Sequence, residues 1–311
     1  MSWCLTQGSA SSTESKMNPT RKSYLYAGVA ILFWSTVPTA FKICLGELDI
    51  IAMLTIASAA SAISLFAILV SEGKLPMLFR PDLRGLLNSA MLGLINPVVY
   101  YIILLSAYRL LPAQVAQPLN MIWPIILVFL SVPLLGQKIS SNSFIALFIS
   151  FAGVYIISSQ GHLFGHMSAN LKGVLLASGS SVFWAVYFIL NMKDKRDESI
   201  KLFYNFLFGT IFLLIALAIT GAHSHHVYTL KGVAAGIYIG FFEMGITFFL
   251  WLKALQLAPT TDRVSNLVYL APFLSLIFVH FIIKEPVYYT TPLGLMFIIT
   301  GIWFQNRKKA Q

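Results

Sequence analysis

Phe33-Trp34-Ser35, in the first apolar stretch of this 311-residue chain, returns as Phe183-Trp184-Ala185. Ala107-Tyr108-Arg109-Leu110-Leu111-Pro112 returns as Ala254-Leu255-Gln256-Leu257-Ala258-Pro259, Pro124 aligns with Pro272, and Gly153 aligns with Gly301. The displacement stays between 147 and 150 residues, so one unit is written twice with small loop insertions. Each copy holds five apolar stretches, and a unit with an odd number of membrane crossings inserts its second copy upside down. Inverted repeats in a polytopic membrane protein are the usual architecture of secondary transporters, with the substrate between the halves near the bilayer midplane.

Composition agrees with a membrane location. Hydrophobic residues make up 58% and charged residues 10% of the chain, with a mean hydropathy of +0.79, whereas a soluble domain carries roughly 25% charge. The fold class predicted is an all-α polytopic membrane protein of ten transmembrane helices in two inverted five-helix repeats. The helices are expected near 24–45, 50–70, 86–108, 113–135, 143–159, 171–191, 201–220, 232–254, 264–283 and 288–304. The corresponding organisation is a disordered tail over 1–23, a first repeat over 24–160, a second over 161–306 and a basic tail over 307–311.

The net charge of +10 invites a nucleic-acid partner, but the positions of the basic residues explain it otherwise. With the N-terminus cytoplasmic, Lys16, Arg21, Lys22, Lys74, Arg80, Arg84, Lys138, Lys193, Lys195, Arg196, Lys201, Arg263, Arg307, Lys308 and Lys309 fall inside. Only Arg109, Lys172, Lys231 and Lys284 fall outside, and Lys42 and Lys253 lie near helix ends, where long stems snorkel. This is the positive-inside pattern with both termini cytoplasmic, and it needs no nucleic acid. Cys4 and Cys44 are not expected to pair. His223, His225 and His226 read as a solvated loop, and Arg263 as an orientation signal, so no metal and no cofactor are called for.

Polar residues inside the predicted spans mark the candidate site. Glu243 is the one acid deep in a span, where a charge costs at least about 2.5 kcal/mol. At about 100° per residue it falls within the stripe of Gly232, Gly236 and Gly240, a face that meets another helix. Two readings fit: a protonatable coupling residue or amine ligand, and a neutral acid bonded between helices. Its counterpart in the first copy is Asn96, followed by Pro97, which should bend the third helix. On the fourth span Gln114, Gln117, Asn120, Met121 and Pro124 share a stripe about 120° wide, read as cavity lining in preference to helix contact. Trp34, Trp123 and Trp184 lie near span centres rather than at the interfaces, unlike Trp3 and Trp303. Trp184, Tyr187, Phe188 and Asn191 share a face of the sixth span, as Trp34, Pro38 and Phe41 share one of the first. Rings and amides converging on one cavity suit an organic solute with an apolar body and polar ends. Packing of the core by large rings is the alternative.

Leu32-Phe33-Trp34-Ser35-Thr36, Asn120-Met121-Ile122-Trp123-Pro124 and Gly136-Gln137-Lys138, with the duplicated prolines and late glycines, make the chain resemble the drug/metabolite transporter superfamily in its EamA-like ten-helix branch. Within it the chain is similar to bacterial aromatic amino-acid exporters of the YddG type. The resemblance implies a basket in which helices 1, 3, 4, 6, 8 and 9 surround a central cavity open alternately to each side. It carries over Trp34, Asn120, Trp123, Pro124, Trp184, Tyr269 and Pro272. Glu243, and Gln137 where many relatives of this kind have Glu, depart from the pattern.

The expected function is therefore export of amino acids or related small metabolites by alternating access. The alternative is transport of an amine-bearing or cationic solute coupled to a proton through Glu243. No phosphate-binding Gly-x-x-x-x-Gly-Lys-Ser/Thr run appears, and a lone buried acid does not make the clustered site of a membrane enzyme. The candidate substrate-binding residues are Trp34, Asn96, Gln117, Asn120, Trp123, Trp184, Tyr187, Asn191, Glu243 and Tyr269, with Pro97, Pro124 and Pro272 as helix-bending positions.

Overall fold

The computed structural model describes residues 18–79, 82–135, 141–162, 169–220, 228–258 and 266–306, and over these the chain is helical without strands. The predicted tail segments 1–17 and 307–311, the 136–138 motif, the 223–226 histidines, Pro259 and Arg263 lie outside the described residues. The helices are α1 (Pro19–Glu47), α2 (Ile50–Ser71), the short α3 (Leu75–Leu78), α4 (Leu83–Leu110), α5 (Ala113–Asn120), α6 (Trp123–Leu135), α7 (Ser141–Ser158), α8 (Leu171–Lys193), α9 (Glu198–Thr220), α10 (230–257), α11 (Leu270–Ile283) and α12 (Thr290–Asn306). Among the described residues, α1, α2, α4, α8, α9 and α10 are long and apolar enough to cross a membrane, and 145–158, 267–283 and 290–304 form shorter apolar helices.

Three boundaries differ from the sequence reading, each for a local reason. α1 opens at Pro19 rather than near 24: Asn18 accepts from the Thr20 N–H at 3.0 Å and Pro19 occupies the first turn, a start signal that hydropathy does not register. The stretch 113–135 is two helices, α5 and α6, because Pro124 has no N–H to continue the ladder; a turn at Met121 and Ile122 separates them. Its counterpart before Pro272 is a 3₁₀ turn, Asn266–Tyr269, that leads into α11.

The packing has the repeat's symmetry. α2 lies along α9 and α7 along α12; α1 packs on α10 and α11 as α8 packs on α4, α5 and α6. Exchanging the copies returns the same neighbours. Small residues permit the closest approaches: a side chain at Gly153 or Gly294 would strike the other's carbonyl across the α7–α12 seam. Likewise Gly240 lies on the Ala57 carbonyl of α2, and Gly93 on the Asn205 carbonyl of α9.

Candidate site around two broken helices

Symmetry places a π-helical turn in the middle of each of two helices, at Leu94–Val99 in α4 and at Gly240–Gly245 in α10. Asn96 sits in the first and Glu243 in the second. In α4, Asn96 leaves helical geometry (φ −142°, ψ 116°) directly before Pro97, the bend that the Asn-Pro pair called for. In α10 the wider turn changes the helical phase. The glycine face runs Gly232, Gly236, Gly240 and then Gly245, which meets Ser64 of α2. A regular helix would have kept Glu243 on that face. The extra residue of the π turn gives the place to Gly245 and frees Glu243 to point elsewhere, which corrects the position read from regular spacing. Thr247 satisfies a carbonyl of the turn by donating to Phe242 O at 2.5 Å.

Glu243 turns towards α4. The Tyr101 hydroxyl donates to Glu243 Oε1 at 2.8 Å, and Trp34 Nε1 reaches the Glu243 carbonyl at 3.5 Å. The Tyr101 ring touches Tyr100 (4.6 Å between centroids), Tyr100 touches Trp184 (5.1 Å), and Trp184 touches Phe248 (5.6 Å) and Trp123 (6.5 Å). Phe248 returns to Trp34 at 6.0 Å. One continuous set of rings from α1, α4, α6, α8 and α10 is thus linked to Glu243 through Tyr101 and Trp34. Trp34, Trp123, Trp184, Phe248 and Glu243 each keep partial exposure although they pack on one another. Among the described residues the carboxylate makes no ion pair; its side-chain donor is a phenol.

Asn120 joins this group. It accepts from Tyr100 Oη at 3.2 Å and donates to Ser180 Oγ at 2.8 Å. The rest of its stripe does not follow. Gln114 accepts from Tyr288 N at 3.0 Å and donates to the Pro286 carbonyl, and Gln117 accepts from Ser275 of α11. These two amides tie α5 to the second repeat. Tyr187, Asn191 and Asn205 form a second polar group, with Asn205 Nδ2 at 3.4 Å from both Tyr187 Oη and Asn191 Oδ1. Tyr269 closes the 3₁₀ turn and packs, partly buried, on the main core.

The two lysines read as snorkelling are instead bonded within the protein. Lys42 donates to Leu111 O at 2.7 Å beside Glu285, whose other oxygen accepts from the Ala113 N–H that opens α5. Lys253 pairs with Glu72 at 2.9 Å, where Lys74 (2.8 Å) and Ser199 (2.8 Å) also meet it. Burial raises the Glu72 carboxyl, but the bonds from Lys74, Lys253 and Ser199 outweigh it and hold the group at about 2. Asp194 is likewise raised by burial and then carried below the usual range by Arg196.

Tyr100, Tyr101, Ser180, Asn205 and Phe248 were not singled out from sequence. The available signal was a Tyr-Tyr pair at mid-span, far from the interfaces where tyrosine is ordinarily found.

Comparison with known proteins agrees with this architecture. The chain is 31% identical over 166 residues to an uncharacterized transporter of Archaeoglobus fulgidus, a match spanning 53% of this chain and 57% of that relative's length. It is 29% identical over 224 residues to the uncharacterized transporter YvbV of Bacillus subtilis, covering 70% of this chain and 72% of that one. An uncharacterized transporter of Clostridium kluyveri is 24% identical over 300 residues, covering 93% and 95%. A crystal structure superposes with a TM-score of 0.63 at 17% identity over 92% of this chain and 97% of that one, which shows a shared fold. The EamA-like transporter family model matches twice, over residues 21–159 and 171–307, and the chain belongs to that family of membrane transporters.

Proposed function

We propose that the protein is a secondary transporter of ten membrane crossings, in two inverted repeats with both termini cytoplasmic. It exports amino acids or related small metabolites across the inner membrane of a prokaryote by alternating access. The observation that carries this reading is a run of rings, the buried Tyr100 and Tyr101 and the partly exposed Trp34, Trp184 and Phe248, joined through Tyr101 to one carboxylate at a broken helix. Broken helices at mid-membrane are where transporters of inverted-repeat design hold their solutes. An aromatic wall with one acidic pole complements an amine on an apolar body. The relatives named above come from bacteria and archaea, which supports the prokaryotic assignment. Export of aromatic amino acids in particular is supported by Trp34 and by the run from Asn120 to Pro124.

A second reading, a cationic or amine-bearing solute exchanged for protons, is favoured by the lack of any ion pair at Glu243 among the described residues. Such an acid is free to be neutralised by either a proton or an amine. Counterflow into proteoliposomes of the purified protein, comparing aromatic, neutral and cationic amino acids and simple organic amines, separates the two. Counterflow of zwitterions supports the first reading. Counterflow restricted to cations, with proton movement in the opposite direction, supports the second, and none with any amino acid removes the amino-acid claim.

A further inference from the structure

Tyr100 and Tyr101 are neighbours in sequence, yet they serve different parts of the candidate site. The Tyr101 hydroxyl holds the Glu243 carboxylate at 2.8 Å, whereas the Tyr100 ring, itself buried, packs on the partly exposed Trp184 at 5.1 Å. The two phenol rings touch each other at 4.6 Å. The separation of the acidic pole from the Trp184 wall therefore depends on how Tyr100 is held.

The first half of its own helix does not dictate its direction. Tyr100 follows directly on the π turn Leu94–Val99, within which Asn96 leaves helical geometry. A chain of hydrogen bonds that runs one way supplies the anchor: Tyr100 Oη donates to Asn120 Oδ1 at 3.2 Å, Asn120 Nδ2 to Ser180 Oγ at 2.8 Å, and Ser180 Oγ to the Ala177 carbonyl at 2.6 Å. Ser180 and Trp184 are four residues apart on α8 and so share a face. Asn120 thereby ties the Tyr100 hydroxyl to the same face of α8 on which the Tyr100 ring packs. Asn120 is only 8% exposed, and both its oxygen and its nitrogen are engaged with protein.

We propose that Asn120 is a positioning residue: it acts on the solute through Tyr100, fixes the distance between Glu243 and Trp184, and so sets the length of solute that the site accepts. The inference rests on the reading of an amine on an apolar body, and it deepens that reading. A solute whose amine meets Glu243 and whose ring meets Trp184 needs a connecting chain that matches the distance between them. Asn120 has no such contact to make, because its amide is spent on Tyr100 and Ser180. Its effect on solutes therefore passes through the rings.

Benzylamine, phenethylamine and phenylpropylamine differ only in the number of methylenes between ring and amine. Their affinities for the purified full-length protein in detergent are measured by titration calorimetry. The wild type should prefer one length over its neighbours by about fourfold, the worth of one methylene. Tyr100→Phe keeps the ring and cuts the chain at its first link, Asn120→Leu cuts the second, and Ser180→Ala cuts the third. Each should bring the preference towards unity, and Asn120→Leu should add nothing further in the Tyr100→Phe background. A purely structural role would weaken all three amines alike and leave their ratios unchanged. If Asn120→Leu does not fold, Tyr100→Phe and Ser180→Ala still decide. A wild type that binds none of the amines removes the amine reading and the proposal with it. Binding by the wild type without a length preference overturns the proposal alone. So do ratios unchanged in Tyr100→Phe and Ser180→Ala, or a loss of binding confined to Asn120→Leu, the mark of a direct ligand.

Discussion

The Tyr101 hydroxyl and the Glu243 carboxylate meet at 2.8 Å, joining α4 of the first copy to the π turn of α10 in the second. The bond lies across the interface between the two repeats. Glu243→Gln keeps the shape of the side chain and removes its titration. The variant should fold and give counterflow that no longer varies with pH. A pH profile identical to the wild type would return Glu243 to a structural role. Tyr101→Phe removes one donor of about 1 kcal/mol and should lower the apparent affinity for amine solutes about fivefold, with pH dependence retained.

Close backbone contact makes the glycines at the two breaks sensitive to a single methyl group. A Cβ at Gly240 would overlap the Ala57 carbonyl, and one at Gly93 the Asn205 carbonyl. Backbone cannot rotate aside as a side chain can, so Gly240→Ala and Gly93→Ala should each cost about 1–3 kcal/mol. Gly28 has nothing within 4 Å of such a methyl, and Gly28→Ala should be neutral or gain up to about 1 kcal/mol from helix propensity. Thermal unfolding of the detergent-purified variants gives the order, and equal melting temperatures for Gly240→Ala and Gly28→Ala would contradict the packing.

The repeat, the membrane class and the bend at Asn96-Pro97 were legible because each depends on local pattern: hydropathy, a recurring motif, and a missing N–H. What regular spacing misplaced depends on a geometric irregularity or on distant partners. The direction of Glu243 required the π turn, which adds a residue that no helical wheel includes. The amides of Gln114 and Gln117 looked alike on the wheel, but their partners Tyr288, Pro286 and Ser275 come from the other copy. Asn18-Pro19 is a local start signal that hydropathy overlooked, whereas the pairing of Lys42 with Glu285 spans the repeats and has no local signature.

Lys201, only 2% exposed, closes the end of α8. Its ammonium donates to the carbonyls of Asn191 (3.0 Å) and Asp194 (3.1 Å) and to Glu198 (2.8 Å). A cation at a helix C-terminus satisfies carbonyls that have no helical donor and favours the dipole. Lys201→Met fills the space without the charge and should cost about 1–3 kcal/mol, the penalty for buried acceptors left unpaired. Lys193, which bonds Leu134 O from an exposed position, is the control: Lys193→Met should stay within about 0.5 kcal/mol. Equal melting temperatures for the two variants would remove the capping role.

Glu72 predicts how stability responds to acid. Although burial opposes its charge, Lys74, Lys253 and Ser199 hold its carboxyl at about 2, below the ordinary 4.5. A carboxyl whose pKa is lower folded than unfolded favours the folded state fully above the unfolded value. That contribution declines as pH falls from about 4.5 and is gone once the folded group protonates near 2. The cluster joins the end of α2 to the start of α9 and to α10, so its loss should loosen that end of the bundle. The melting temperature should therefore drop between pH 5 and pH 3 by more in the wild type than in Glu72→Gln, which cannot titrate. The variant should already be less stable at pH 7, because Lys74 and Lys253 lose their shared carboxylate; Lys74 retains Asp197 at 2.7 Å, whereas Lys253 keeps, among the described residues, its place over the Phe249 ring. Acid slopes that coincide in the two proteins would show that another group governs the transition.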